Sequence, residues 1–282
     1  MIAFLGTGLL GANFTKALLA KGHKVNVWNR TSAKAKVLQE EGAVAHETPA
    51  DAVKGAERIH LTLMDDATVD EVLEQAAPGI APGAFIIDHT TTTAKGAIER
   101  TQQWAERGIN YVHAPVFMGP VNALDGSGYM LVSGDQSIIG KVLPWIEPMT
   151  GKVINFGDTV GKAAGIKLIG NLFLLTLTGG VSDMLALAKA LDIDSSDIVS
   201  LFSEWNPGAG APARLKRVIA AKWDEPSWEL QMARKDARLM MEEAANGNKE
   251  LVTVPAIAQE MDRWLDKGYA HKDWTVIAAD NV

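Results

Sequence analysis

The sequence contains no cysteine. Disulfides, thiolate metal sites and cysteine nucleophiles are excluded together. Its six histidines form no helical H-x-x-x-H pair and show no other metal-type spacing, so no metal is expected. Basic residues are in deficit, with 27 Lys and Arg against 34 Asp and Glu and a net charge of −7. That balance favours solubility and argues against a nucleic-acid partner. Long apolar runs are scarce. The most apolar stretch, "LIGNLFLLTLTGGV" at 168–181, carries Asn171 and falls short of the ~20 residues that span a bilayer. Residues 2–5 are apolar, but glycines follow at once, which reads as strand and turn and not as a leader. A cytoplasmic protein with no membrane partner is expected.

What is present is ordinary for a globular chain: 282 residues, 47% hydrophobic and 22% charged. At roughly 150 residues per domain, two domains are expected. In the first half short apolar runs alternate with amphipathic ones. "IAFLG", "KVNVWNR", "RIHLTLM", "AFIIDHT", "NYVHAPV" and "YMLVSGD" read as strands, and strand formation ends near "VINFGDTVG", 153–161. "GANFTKALLAKGH", "SAKAKVLQEEGA", "ATVDEVLEQAA" and "AIERTQQWAERG" read as helices. Such alternation predicts an α/β fold, a doubly wound parallel sheet with helices on both faces. The second half predicts helices only, over 162–191, 195–205, 211–222, 228–246 and 255–267. The boundary is therefore placed at residue 160, giving domains 1–160 and 161–282. The apolar helix 162–191 would open the second domain, buried in a helical core shared with a second subunit. "WNPGAGAP", 205–212, reads as a loop between helices.

Gly6-x-Gly8-x-x-Gly11 stands between the first strand and the first helix. The first glycine suits a tight turn, the second lets a pyrophosphate approach the backbone, and the third lets helix and strand pack closely. Free N–H groups at the helix start, at Leu9 and Leu10, would hold the anion. This combination predicts a dinucleotide-binding domain. At the end of the second strand, an acid would accept hydrogen bonds from the ribose 2′-OH of NAD and repel a 2′-phosphate. Asn29 stands there, followed by Arg30 and Thr31. Arginine binds phosphate through a charge-assisted fork and stacks on adenine. The expected cofactor is NADP (NADPH).

Lys167 and Asn171 lie at i and i+4 and share one helix face, so both can reach one small ligand. A lysine on so apolar a helix is costly to bury charged, and desolvation would lower its pKa toward the range useful for proton transfer. Four further motifs run in order: "DHTTTTA" (88–94), "HAPVFMGPVNALDGSGYMLVSG" (113–134), "GKAAGIKLIGN" (161–171) and "RKDARLM" (234–240). With the glycine motif, this set resembles the β-hydroxyacid dehydrogenase family over nearly the whole chain. That family includes 3-hydroxyisobutyrate dehydrogenases and glyoxylate/succinic semialdehyde reductases.

The resemblance implies a Rossmann domain, an all-helical domain and an active site between them, with dimers or tetramers common. It implies Lys167 as the group that gives or takes the proton of the substrate oxygen, and Asn171 as a substrate ligand. Thr91 matches the threonine of the family's D-x-S-T-x-x-P segment, near nicotinamide and substrate, although Thr90 replaces its serine and Ala94 its proline. Leu63 and Met64 match the strand-end segment along the cofactor. Lys235 matches a lysine that approaches cofactor or substrate, with Asp236 beside it structural. One departure stands out. Where the family reads A-P-V-S-G-G, this chain reads Ala114-Pro115-Val116-Phe117-Met118-Gly119, at the segment that binds the substrate carboxylate. Phe117 and Met118 supply no hydroxyl and add apolar bulk, so the chemistry looks retained and the substrate anchor changed.

The expected function is an NADP-dependent oxidoreductase acting on a small carbonyl or hydroxyacid substrate, with a less polar substrate than usual in view, in a homodimer. Imine reduction is the enzymatic alternative. Lys167 argues against it, since imine reductases typically lack that lysine, while Phe117 and Met118 argue mildly for it. A non-catalytic, NADP-binding sensor or docking module is the alternative of another class. Retention of Lys167, Asn171 and Lys235 argues against that.

Overall fold

The computed structural model describes residues 1–282. Six strands form one sheet: β1 (Ile2–Leu5), β2 (Val25–Trp28), β3 (Val44–Ala45), β4 (Arg58–Leu61), β5 (Phe85–Asp88) and β6 (Asn110–His113). Their order is β3-β2-β1-β4-β5-β6, with every neighbouring pair parallel. β1, β2, β4 and β5 are buried at every residue, which is why they read as short apolar runs without alternation. The strand order reverses between β1 and β4. In a sheet of this topology that reversal opens a crevice at the carboxyl ends of the strands.

Five helices cover the sheet: α1 (Leu9–Ala20), α2 (Ser32–Lys36), α3 (Pro49–Val53), α4 (Asp66–Ala76) and α5 (Ala94–Glu106). Phe14 and Leu18 of α1 pack with Phe4, Val27 and Ile87 on one face. Val69 and Leu73 of α4 and Trp104 of α5 pack with Leu5, Ile59 and Ile86 on the other. Asp65 and Thr93 cap α4 and α5 by accepting the N–H groups of Thr68 and Gly96, satisfying donors that the helix itself cannot.

The expected single strand "NYVHAPV" is two strands in two sheets. Pro115 has no N–H to donate and ends the parallel ladder. The chain continues as β7 (Val116–Phe117), which pairs antiparallel with β8 (Tyr129–Val132), itself parallel to β9 (Lys152–Asn155). Two helices that the periodicity did not suggest, α6 (Pro120–Asp125) and α7 (Gln136–Ile146), connect these strands.

By packing, the chain forms two compact units, Met1–Asn171 and Leu172–Val282. α8 (Lys162–Ala190) begins in the first and continues into the second, which also holds α9 (Ser195–Glu204), α10 (Ala211–Ile219), α11 (Leu230–Asn246) and α12 (Val254–Asp266). The second unit has no strand, as expected from its pattern. Its core gathers Leu230, Ala233, Met261, Trp264 and Val276. Asp183 of α8 is buried and accepts the N–H groups of Val252, Thr253 and Val254 at 2.6–3.0 Å, which ties α8 to the start of α12.

In the single chain α8 is only partly covered. The helix is not enclosed in a core: Leu172 is 66% and Leu175 75% exposed, and Ile169, Phe173, Leu174 and Leu177 are exposed with them. Apolar residues occur on most of its faces, so its own unit can cover only part of them. By length and composition α8 is long and apolar enough to cross a membrane, although the buried, hydrogen-bonded Asp183 lies within it.

The sheet core holds a histidine pair. His89 Nδ1 lies 2.8 Å from the Ala114 carbonyl, and His60 Nδ1 lies 2.9 Å from His89 Nε2. A carbonyl only accepts, so His89 carries its proton on Nδ1, and Nε2 accepts from His60. His60 Nε2 has no partner. Burial, and then its neighbour His89, holds His60 well below the ordinary imidazole range. Burial lowers His89 to about 4. Both are therefore neutral in the folded protein, whereas the unfolded chain binds protons below about pH 6.5. Their stabilising contribution is complete above pH 6.5 and is lost as pH falls toward 4. For His89 alone the loss is roughly 3 kcal/mol. Denaturant unfolding should show stability declining between pH 6.5 and 4.5, a window above most carboxylate titration. The decline should be shallower in His60→Phe/His89→Leu, and an equal decline in that variant would contradict the assignment.

Candidate active site

The first turn of the sheet sets the site. Gly6 has φ +93°, and a Cβ there would sit 2.3 Å from the Thr62 carbonyl oxygen. A Cβ on Gly11 would sit 2.0 Å from the Gly6 oxygen and 2.3 Å from Thr62 Oγ1. Glycine is therefore required at both places for backbone packing. Gly8 differs, since a Cβ there would meet nothing within 4 Å. Its open side is the place where a ligand can come against the backbone. Gly8 caps α1 without a side chain, and no acidic residue occupies the first turn. The N–H groups of Leu9, Leu10 and Gly11 thus begin the helix without intrahelical acceptors. A dinucleotide pyrophosphate fits this geometry and its charge.

Thr62 and Asn29, neither an acid nor a base, hold the loop in shape. Thr62 Oγ1 donates to the Gly6 carbonyl at 2.7 Å. The Thr7 N–H donates to Asn29 Oδ1 at 2.9 Å, and Asn29 Nδ2 donates to the Thr31 carbonyl at 3.0 Å. Asn29 thus has a structural role that reading it as a missing acid does not reveal. Past it lies a groove of about 340 Å³. Trp28, Asn29, Arg30, Thr31 and Lys34 line it, with Leu63, Met64 and Thr68. Neither Arg30 nor Lys34 makes an ion pair, although Glu71 also borders the groove. Lys34 went unnoticed in the sequence. It stands on the short helix α2, just after Arg30 and Thr31.

A second cavity of about 300 Å³ adjoins the glycine loop. Gly8, Leu9, Leu10, Thr62 and Leu63 line it together with Thr90, Thr91, Met118 and Lys167, and with His89 and Val116. The loop after β5 is firmly held. Asp88 accepts the Thr90 N–H at 2.9 Å and the Tyr111 hydroxyl at 2.6 Å. Thr90 Oγ1 in turn accepts the Leu63 N–H at 2.9 Å. Thr91 is left exposed at the cavity.

Lys167 is 8% exposed. Its Nζ donates to Asn171 Oδ1 at 2.9 Å, and no carboxylate lies within ion-pair distance. Burial pushes its ammonium below the ordinary lysine range. The i, i+4 pair expected from spacing is therefore formed. It faces itself, with Asn171 holding the amine and not lining the cavity.

The remaining expected site residues fall in different places. Phe117 does not line the cavity; its ring centroid lies 4.1 Å from Lys167 Nζ. Gly119 caps α6, and its N–H is already donated to Asn122 Oδ1 at 2.8 Å, so it offers no free donor to a carboxylate. Asn122 and Ser127 complete that turn, a pairing without a local sequence signal. Met118 does reach the cavity. Lys235 lies in the second unit on α11, part-exposed and paired with Asp236 at 2.6 Å.

The chain matches the family model of the NAD-binding domain of 6-phosphogluconate dehydrogenase over residues 1–157. It is 30% identical over 270 residues to glyoxylate/succinic semialdehyde reductase 1 of Arabidopsis thaliana, covering 91% of this chain and 89% of that one. It is 27% identical over 288 residues to the NAD-dependent L-serine dehydrogenase of Pseudomonas aeruginosa, covering 98% and 96%. In fold it is similar to an imine reductase from Myxococcus stipitatus in complex with NADP+, with TM-score 0.92, 21% identity and 99% of each chain covered.

The contrast between two glycines makes a test. Gly8→Ala should fold with unchanged stability and bind nicotinamide dinucleotides more than tenfold more weakly, because only the ligand needs that space. Gly11→Ala should lower stability itself by about 2–3 kcal/mol, as in other overpacked sites. Thermal melts and fluorescence titration with the cofactor check both. Equal stability loss in the two variants would contradict the assignment.

Proposed function

This chain belongs to the β-hydroxyacid dehydrogenase family and shares its nucleotide-binding domain with 6-phosphogluconate dehydrogenase, and we propose that it reduces a small, weakly polar carbonyl compound with NADPH. As a member it is an NAD(P)-dependent oxidoreductase. The observation that carries the finer reading is Lys167, a buried amine without a carboxylate partner, in one cavity wall with the glycine loop and Thr91.

The bound cofactor supplies hydride at C4 of its nicotinamide ring. The chain's residues supply the rest. Lys167 gives a proton to the carbonyl oxygen: an N–H bond breaks, an O–H bond forms, and the neutral amine recovers its proton from water. The reverse direction uses the neutral amine as base. Asn171 keeps Nζ in place, and the exposed Thr91 hydroxyl is in reach of a polar substrate group. Desolvation brings the amine closer to the pH at which both protonation states are accessible. Arg30 and Lys34, free of ion pairs at the groove, support NADPH over NADH.

The weakly polar substrate is supported by what position 117 and Gly119 do not offer. There is no hydroxyl at 117, the Gly119 N–H is occupied, and Val116 and Met118 present apolar surface. Imine reduction is a second reading, favoured by the apolar Val116 and Met118 at the cavity. We also propose a homodimer, in which a second copy covers the apolar residues that α8 leaves exposed, such as Leu172 and Leu175. The buried Asp183 within that helix favours a protein partner over lipid, since a charged group is costly at bilayer depth. A monomeric mass in solution would contradict it.

NADPH oxidation should be measured with glyoxylate, succinic semialdehyde, an uncharged aldehyde of similar length and a cyclic imine. The uncharged aldehyde should be turned over best, and Lys167→Ala should lower its kcat by about 10²–10⁴. Imine turnover that survives in Lys167→Ala would favour the second reading. Arg30→Ala and Lys34→Ala should each weaken NADPH binding about tenfold or more and leave NADH unchanged. Equal losses for both nucleotides would refute the NADPH preference.

A further inference from the structure

Phe117, Lys167 and Gly170 make one packed group. The Lys167 Nζ stands 4.1 Å from the centroid of the Phe117 ring. On the next turn of α8, a Cβ at Gly170 would lie 2.3 Å from Phe117 Cζ and 2.8 Å from Cε1, so the ring occupies the space that any other residue would fill. Phe117 is fixed from below by the β7–β8 ladder, where it pairs with Tyr129. We propose that Phe117 is a positioning residue for Lys167: its ring face, seated against Gly170, favours the charged, proton-bearing form of the amine and fixes its place at the cavity wall.

The physical reason is charge compensation. A buried ammonium needs a partner, and no carboxylate lies near Lys167. Asn171 provides one neutral acceptor. The negative face of an aromatic ring attracts a desolvated cation and does not compete for its protons. A lysine held only by desolvation would drift to the neutral form and lose its value as an acid. The ring opposes that drift without forming an ion pair that would hold the proton too tightly. Of the other groups around the cavity, only His89 titrates, and it is kept neutral by burial. Lys162, a turn earlier on α8, is exposed to solvent. This inference rests on the reading of Lys167 as proton donor.

The test follows Lys167 directly. In cofactor-free protein with carbon-13 at lysine Cε, the Lys167 signal, assigned by its absence in Lys167→Arg, is titrated by NMR. Phe117→Leu should titrate about one pH unit lower than wild type, and Phe117→Tyr, which keeps the ring face, should titrate like wild type. Gly170→Ala displaces the ring without altering it and should shift Lys167 in the same direction, which covers the case in which Phe117→Leu fails to fold. In turnover, the alkaline limb of kcat in Phe117→Leu should move down with the titration midpoint while KM for NADPH stays constant. The same midpoint in wild type, Phe117→Leu and Gly170→Ala would overturn the proposal. If Lys167 titrates as described but wild type reduces no carbonyl with NADPH, the positioning stands and the function proposed above falls.

Discussion

The contact of Gly11 with the Gly6 carbonyl and with Thr62 is the constraint on which the site depends. It lets α1 begin close against the ends of the parallel neighbours β1 and β4, where the strand order reverses. Had either residue carried a side chain, the helix start would be pushed off the sheet edge and its free N–H groups away from the place where an anion can lie. Gly8 then stays open for a ligand, because its neighbours already satisfy the packing. Thr62 serves twice, by donating to the Gly6 carbonyl and by bordering both cavities. The groove beside Arg30 and the cavity beside Lys167 meet at this turn.

The second dependence is electrostatic. A lysine is buried where nothing of opposite charge can neutralise it, and the protein answers with an amide oxygen and an aromatic face. Both leave the proton exchangeable, whereas a carboxylate would fix it. The apolar residues at 117 and 118, which look on the page like one altered substrate anchor, thus divide their work. Met118 faces the cavity, and Phe117 faces the amine. Gly119 turns away into the cap of α6. Of the two apolar residues only Met118 adds to the cavity wall, while the Gly119 N–H is spent on the α6 cap.

Much of this was legible in the chain. Gly6, Gly8 and Gly11 act at short range, and so do the fully buried strand runs and the i, i+4 spacing of Lys167 and Asn171, so pattern was enough. The misses are non-local. The ring of Phe117 finds its seat at Gly170 through the fold, and a helical glycine by itself does not announce a partner. His60 and His89 carry no local signal of a pair until the sheet places them side by side. The two-residue strand β7 owes its existence to a neighbour, β8, that a periodicity cannot see. The exposure of α8 is the converse case: its apolarity was plain, but how much of it the chain itself covers was not.

The measurement that bears most directly on this account is single-turnover hydride transfer from NADPH to an uncharged aldehyde, followed against pH in wild type and Lys167→Ala. The account predicts a wild-type rate that is flat at low pH and falls as Lys167 loses its proton, together with a slow, pH-independent rate in the variant. The same pH profile in both proteins would contradict it, because the proton would then come from a group other than Lys167.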